Sequence, residues 1–125
     1  MALWLFKEEP THYGYADLER DGKTAWEGIT NALALIHLRN VKVGDRILYY
    51  HTGKEKAVVA EAKAVSVKDG VVIVAPVRRL AKPVPLTDIR ADSAFKNWEL
   101  VRNSRLSVMP VTPELWKRIE EMASA

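Results

Sequence analysis

A tryptophan set in the small, turn-prone segment Thr24-Ala25-Trp26-Glu27-Gly28-Ile29-Thr30-Asn31 can offer its face to a flat ligand. Gly28 removes side-chain bulk beside it, while Thr24 and Asn31 supply hydrogen-bonding groups within a few residues. The other reading of Trp26 is a core or hinge residue. Three more stretches carry polar chemistry. Lys7, Glu8 and Glu9 close an apolar run before Pro10, and such a pair of charges can act as acid and base, or a carboxylate can accept from an exocyclic amine. Tyr49, Tyr50, His51 and Thr52 follow Gly44-Asp45-Arg46; on a strand Tyr49 and His51 share one face and Tyr50 points the other way. A neutral imidazole there can read the donor and acceptor edge of a base. Near the end, Arg105 and Ser107 alternate with Leu106 and Val108, which places a phosphate-matching guanidinium opposite an inward-packing face, with a structural salt bridge as the alternative.

Composition limits what these groups can do. The chain has 125 residues, enough for one self-sufficient core that buries roughly two thirds of the unfolded surface. Cysteine is absent, so disulfides, thiolate catalysis and thiolate metal sites are excluded. His12, His37 and His51 lie far apart without paired ligand spacing, and neither a metal nor a cofactor is expected. The formal charge is +3, but it is unevenly spread. The first 40 residues carry more Asp and Glu than Lys and Arg, whereas Arg78 to Arg105 holds a basic surplus able to attract phosphates. The apolar run Ala32 to Ile36 is too short to cross a bilayer, and the N-terminus has no signal-peptide pattern, so a cytoplasmic location is expected. The lack of Gln and scarcity of Asn agree with a thermophilic source.

The elements that must position these groups follow from the pattern. Leu3 to Lys7 reads as a strand, Tyr15 to Arg20 as a helical turn or two, and Asn31 to Arg39 as a short apolar helix capped by Asn31. Arg46 to His51 is a strand; Ala57 to Val67 and Val71 to Leu80 are two long ones, joined through Lys68-Asp69-Gly70 as a tight hairpin. Pro83 and Pro85 are expected to break the ladder or confine the segment to an edge. Thr87 to Ala91 is a helical turn, Leu106 to Val111 a last strand, and Thr112-Pro113 opens a C-terminal helix with Leu115, Ile119 and Met122 on its apolar face. The sum is an α+β fold, a strongly bent sheet or small β-barrel flanked by short helices, in a single domain spanning 1–125.

In order and spacing, the four blocks around Lys7, Trp26, His51 and Ser107 resemble the EVE domain family, also called the thymocyte nuclear protein family. The resemblance implies a PUA-like barrel, related to the YTH readers of methylated adenine in RNA. It also implies a pocket for a flipped base, with Trp26 as wall and Lys7, Glu9, Tyr50, His51 and Thr52 around it, and with Arg105 and Ser107 in the last family block. The chain departs from the family in several places. Glu8 replaces the usual Ser; Thr30, Ala32, Leu35 and Ile36 replace polar or aromatic groups; Ala57 and Ala60 stand where Gly is usual; and the Asp69-Gly70 hairpin replaces a loop that carries a second Trp. The second pocket wall is therefore missing from its usual place, with Trp98 or Trp4 as substitutes.

Three functions compete. The leading expectation is a non-catalytic module, monomeric and without cofactor, that recognises a modified base in DNA or RNA. The runner-up is a nucleotide- or RNA-processing enzyme using Lys7, Glu9 and His51. The third is a protein-binding accessory subunit, which requires an exposed apolar patch such as one around Phe95 and Trp98.

Overall fold

Asp69 and Gly70 adopt φ of 53° and 79°, the left-handed pair that a two-residue hairpin requires, and Lys68 pairs with Val71 across them. This turn joins the two longest strands of one six-stranded sheet in the computed structural model, which describes residues 1–124. The strands are β1 (Leu3–Glu8), β2 (Thr24–Trp26), β3 (Arg46–His51), β4 (Ala57–Lys68), β5 (Val71–Pro85) and β6 (Val108–Pro110), in the spatial order β2-β5-β4-β3-β1-β6. Only the β1–β3 pair is parallel. Around the sheet lie α1 (Pro10–Tyr13), α2 (Tyr15–Asp21), α3 (Ala32–Arg39), α4 (Leu86–Ala91), α5 (Glu99–Arg102) and α6 (Pro113–Ser124).

The sheet curls. β1 and β2 are separated by three strands in the order, yet the rings of Phe6 on β1 and Trp26 on β2 lie 5.1 Å apart. Two features of β4 allow this. Its register slips against β5 at Val58/Ala60, Glu61/Ala62 and Ala64/Ser66, and each irregularity adds local bend and twist. Its buried positions are also small, with Ala57, Ala60, Ala62 and Ala64 leaving room inside the bend for large rings. Tyr49 of β3 and Tyr15 of α2 fill that room, 5.4 Å apart in an edge contact. The Tyr15 hydroxyl donates to the Glu61 carbonyl at 2.7 Å and accepts from Val77 N–H at 3.1 Å, tying α2 to both long strands. The result is a half-barrel with an aromatic interior and short helices around it.

Two expectations need correction, and a third, on Pro83 and Pro85, resolves to its edge alternative. Pro83 and Pro85 do not break β5, which runs on to Pro85 and pairs Val84 with Val58. β2 covers only Val72 to Val74, so the rest of that side of β5 has no strand neighbour, and a missing N–H there loses no ladder bond. Leu106 to Val111 is strand only over Val108–Pro110, although Leu106, Val108 and Val111 do pack inward. Phe95 and Trp98 form no exposed patch: they are 0% and 5% exposed, stack on one another, and the Trp98 indole donates to the Pro110 carbonyl at 3.0 Å. Among the described residues no helix is long and apolar enough to cross a membrane.

Candidate nucleic-acid interface

The parallel register of β1 and β3 sets Phe6 opposite Tyr49, Lys7 opposite Tyr50 and Glu8 opposite His51. Side chains alternate along each strand, so this register divides the residues singled out from sequence between the two faces of the sheet. Phe6, Glu8, Tyr49 and His51 belong to the inner, concave face. Lys7 and Tyr50 belong to the outer one, with the Lys7 ammonium 5.7 Å from the centre of the Tyr50 ring.

On the inner side, Trp26 borders a cleft of about 180 Å³ together with Thr24 and Ala25 of its own strand, Glu27, Glu8 of β1, and His12 and Tyr13 of α1. Trp26 is only 6% exposed. Phe6 packs on it at 42°, and Tyr49 meets it edge-on at 5.6 Å, so the indole is a core residue that also forms a wall. The core reading of this residue holds, and its edge borders the cleft. Opposite it, α1 folds back because Glu9 caps its first turn, its carboxylate accepting from Thr11 N–H at 3.3 Å, with Pro10 as the first helical residue. That turn brings His12 and Tyr13 over the cleft. The Tyr49 hydroxyl holds them there by donating to the Tyr13 carbonyl at 2.8 Å.

The cleft is acidic. Glu8 Oε1 accepts from Glu9 N–H at 2.8 Å and lies 3.3 Å from His12 Nδ1, while its Oε2 takes no hydrogen bond among the described residues. Burial pushes the Tyr13 phenol above its ordinary pKa, reinforced by its hydrogen bond to Asp21. Burial raises Tyr49 much further, with the Glu8 charge adding to it, so both phenols stay neutral donors.

The remaining expected site residues are placed elsewhere. His51 is 8% exposed and engages both nitrogens inside the protein: Nε2 accepts from Tyr15 N–H at 3.1 Å and Nδ1 donates to Glu55 at 2.7 Å. It positions α2 and has no free edge to read a base. His51→Ala is expected to lower stability by about 1 to 3 kcal/mol, the cost of a buried N–H left without an acceptor. Urea denaturation checks this, and an unchanged midpoint would remove the role. Glu9 is engaged as the α1 cap and with Thr52, whose hydroxyl donates to it at 3.3 Å. Asn31 caps α3 by accepting from Ala34 N–H at 2.9 Å, and Gly28 stands beyond the cleft at a positive φ of 79°. Ser107 is held by its carbonyl, which accepts from Lys7 N–H at 2.9 Å, and the exposed Arg105 forms no ion pair among the described residues.

Lys7 stands on the outer face and His51 on the inner one, so the sheet divides these two members of the acid-base trio expected of an enzyme. Trp4 and Trp98 do not replace a second wall. The Trp4 indole is bonded to Asp45 at 2.9 Å, and Trp98 to Pro110. The wall opposite Trp26 comes instead from His12 and Tyr13, with Glu8 between. The sequence signal for them was the Glu9-Pro10 cap, which forces a helical turn immediately after β1. Among the described residues no group of three or more His, Cys, Asp or Glu gathers as a metal site.

A curled six-stranded half-barrel with short flanking helices and a cleft against its aromatic interior defines a PUA-like protein. The same fold at 11% identity, with a TM-score of 0.61, is seen in an ASCH protein from Zymomonas mobilis. The chain belongs to the EVE domain family, whose profile matches residues 2–69 and 66–122. A protein from Rhodopseudomonas palustris is similar at 31% identity and a TM-score of 0.92, over 99% of this chain and 94% of that one. Human THYN1, solved in complex with DNA containing 5-methylcytosine, is similar in fold at 24% identity, with a TM-score of 0.88 over 100% and 99% of the two chains. No protein of curated function matches the chain.

Proposed function

We propose that this chain is a non-catalytic reader of a modified base in nucleic acid, and that the base enters the cleft beside Trp26. The observation that carries this reading is the pairing of an aromatic wall with the unengaged Oε2 of Glu8 in a space of about 180 Å³. Ligand pockets usually exceed roughly 300 Å³, so this one suits a single ring whose sugar and phosphate stay outside. A carboxylate accepts from an exocyclic amine such as N4 of cytosine, and the acidic lining turns phosphate away. The fold shared with THYN1, which was solved with DNA carrying 5-methylcytosine, makes that base in DNA the first to test. Single-stranded targets are favoured, because flipping a base out of a duplex costs a few kcal/mol.

The test is calorimetric titration of strands of one sequence with cytosine, 5-methylcytosine or 5-hydroxymethylcytosine, as DNA and as RNA. Glu8→Gln is expected to weaken binding of the preferred strand about tenfold, the order of one charge-assisted hydrogen bond, and to weaken the cytosine strand by a similar factor, because both bases carry the N4 amine. A wild-type chain that binds all of these strands equally would end the reading.

A further inference from the structure

On the outer face of β1 and β3, four cations gather without carboxylate partners. Lys7, Lys56 and Arg90 line a cleft of about 160 Å³ with Tyr50, Thr52 and Ser104. A second hollow of about 250 Å³ shares Lys56 and Arg90 and adds Lys54 and Thr87, with three cations against one carboxylate, Glu55, on its lining. None of the four forms an ion pair among the described residues; no lysine there does, whereas Arg90 differs in this from Arg20, Arg46, Arg78, Arg79 and Arg118. The two nearby carboxylates are already engaged, Glu9 by Thr11 and Thr52 and Glu55 by His51.

The Lys7 side chain and the Lys56 backbone are held in place. The Lys7 ammonium donates to the Ser104 carbonyl at 3.2 Å, and burial lowers its pKa because no counter-charge offsets the lost water. Lys56 sits at a positive φ of 45°, uncommon for a residue with a side chain, while its carbonyl accepts from Leu86 N–H at 2.8 Å. Such strained positions collect at ligand sites. Tyr50 is 3% exposed and offers no free face for stacking. The groove is thus supplied with ammonium, guanidinium and hydroxyl groups for oxyanions, and not with platforms for bases.

We propose that this two-part groove binds consecutive phosphates of a single nucleic-acid strand. It rests on the reading above, in which the strand's modified base occupies the Trp26 cleft. Lys7 and Glu8 are neighbours on β1, so the sheet separates a basic groove for backbone from an acidic cleft for base, with the end of β1 between them. Arg90 matches a phosphate through its planar fork, and Lys7, Lys54 and Lys56 act as point charges.

A fluorescently labelled abasic oligodeoxynucleotide isolates the groove, because it carries phosphates and no bases. Its anisotropy is followed against the full chain and against the double variant Arg90→Gln, Lys56→Asn at several salt concentrations. Asn tolerates the left-handed backbone at position 56, and both sites are exposed, so the variant is expected to fold. The double variant should bind at least tenfold more weakly. Its slope of log affinity against log salt should be shallower by about 1 to 2, as expected when two phosphates of a single strand are no longer neutralised. Equal affinity and equal slope for the folded double variant would overturn the groove. So would inorganic phosphate perturbing the Lys7 and Arg90 resonances while the abasic strand fails to bind, since the site would then serve a free anion. If abasic binding depends on Arg90 and Lys56 but no modified base is preferred, the groove stands and the base reading alone falls.

Discussion

Trp26→Ala is expected to lower stability by about 3 to 5 kcal/mol, the usual cost of truncating a large ring in a packed interior. The indole contacts Phe6 and Tyr49 and closes the gap between β2 and β1. Its removal therefore opens a cavity at the point where the curled sheet meets itself. Domains of this size hold only about 5 to 15 kcal/mol in total, so the variant is expected near its unfolding threshold, with a melting midpoint lower by more than about 10 °C. Binding is accordingly read on Trp26→Phe, which keeps an aromatic wall. Because so little of the indole reaches the cleft, the affinity loss belongs at the lower end of the range for a stacked base, about 1 kcal/mol or fivefold. A Trp26→Ala variant that melts with the wild type would show that the ring is not part of the core. An unchanged affinity in folded Trp26→Phe would take it out of the site.

That one residue explains why the sequence told more of the fold than of the site. The Asp69-Gly70 turn, the Asn31 cap and the Thr112-Pro113 helix start are local signals, each set by a few neighbouring residues. All of them appear where the pattern put them, with Thr112 Oγ1 accepting from Leu115 N–H at 3.2 Å. β2 was less legible. Thr24-Ala25-Trp26 reads as a turn because it is short and flanked by Gly22 and Gly28, and it becomes a strand only by pairing with Val72 to Val74 nearly fifty residues later. Tertiary pairing of this kind overrides local preference.

The site was partly legible for a related reason. Family-like blocks bring Lys7, Tyr50 and His51 together where β1 and β3 end, with Glu9 just beyond, but the period-two alternation of those two strands sends Lys7 and Tyr50 to one face and His51 to the other. His51 is drawn into structural duty by a contact with Tyr15, which sequence spacing does not reveal. Glu8 joins the cleft by the same alternation that excludes Lys7. The departure from the family's Ser at that position thus puts a carboxylate on the lining of the cleft.

A pH-dependent effect is expected at Asp45. This carboxylate is 3% exposed and takes three donors: Ala2 N–H at 3.0 Å on Oδ1, and the Trp4 indole and Lys42 N–H, both at 2.9 Å, on Oδ2. It thereby pins the start of β1 to the turn that launches β3, and the parallel pairing of these strands places both clefts. Asp45→Ala strands three donors, each costing about 1 to 3 kcal/mol if buried, and partial access of water brings the expected total to about 3 to 5 kcal/mol at pH 7. Burial works to raise the Asp45 pKa, but the hydrogen bonds from Lys42, Trp4 and Ala2 outweigh it, and the net position is below the ordinary carboxylate value. A group depressed in the folded state stabilises fully above its unfolded pKa of about 3.9, and that contribution disappears as pH falls through the folded value. The stability gap between the wild type and Asp45→Asn, which cannot titrate, is therefore expected to be constant from about pH 7 down to about pH 5 and to narrow below about pH 4. Asp21 and Asp92 are also depressed by their hydrogen-bond partners, Arg20 first for the one and Ala94 N–H first for the other, but they are common to both proteins and cancel in the difference. Urea denaturation of the pair from pH 7 to pH 3 measures it. A gap that stays constant through acid, or an Asp45→Ala loss under about 1 kcal/mol, would show that the carboxylate does not hold the start of β1.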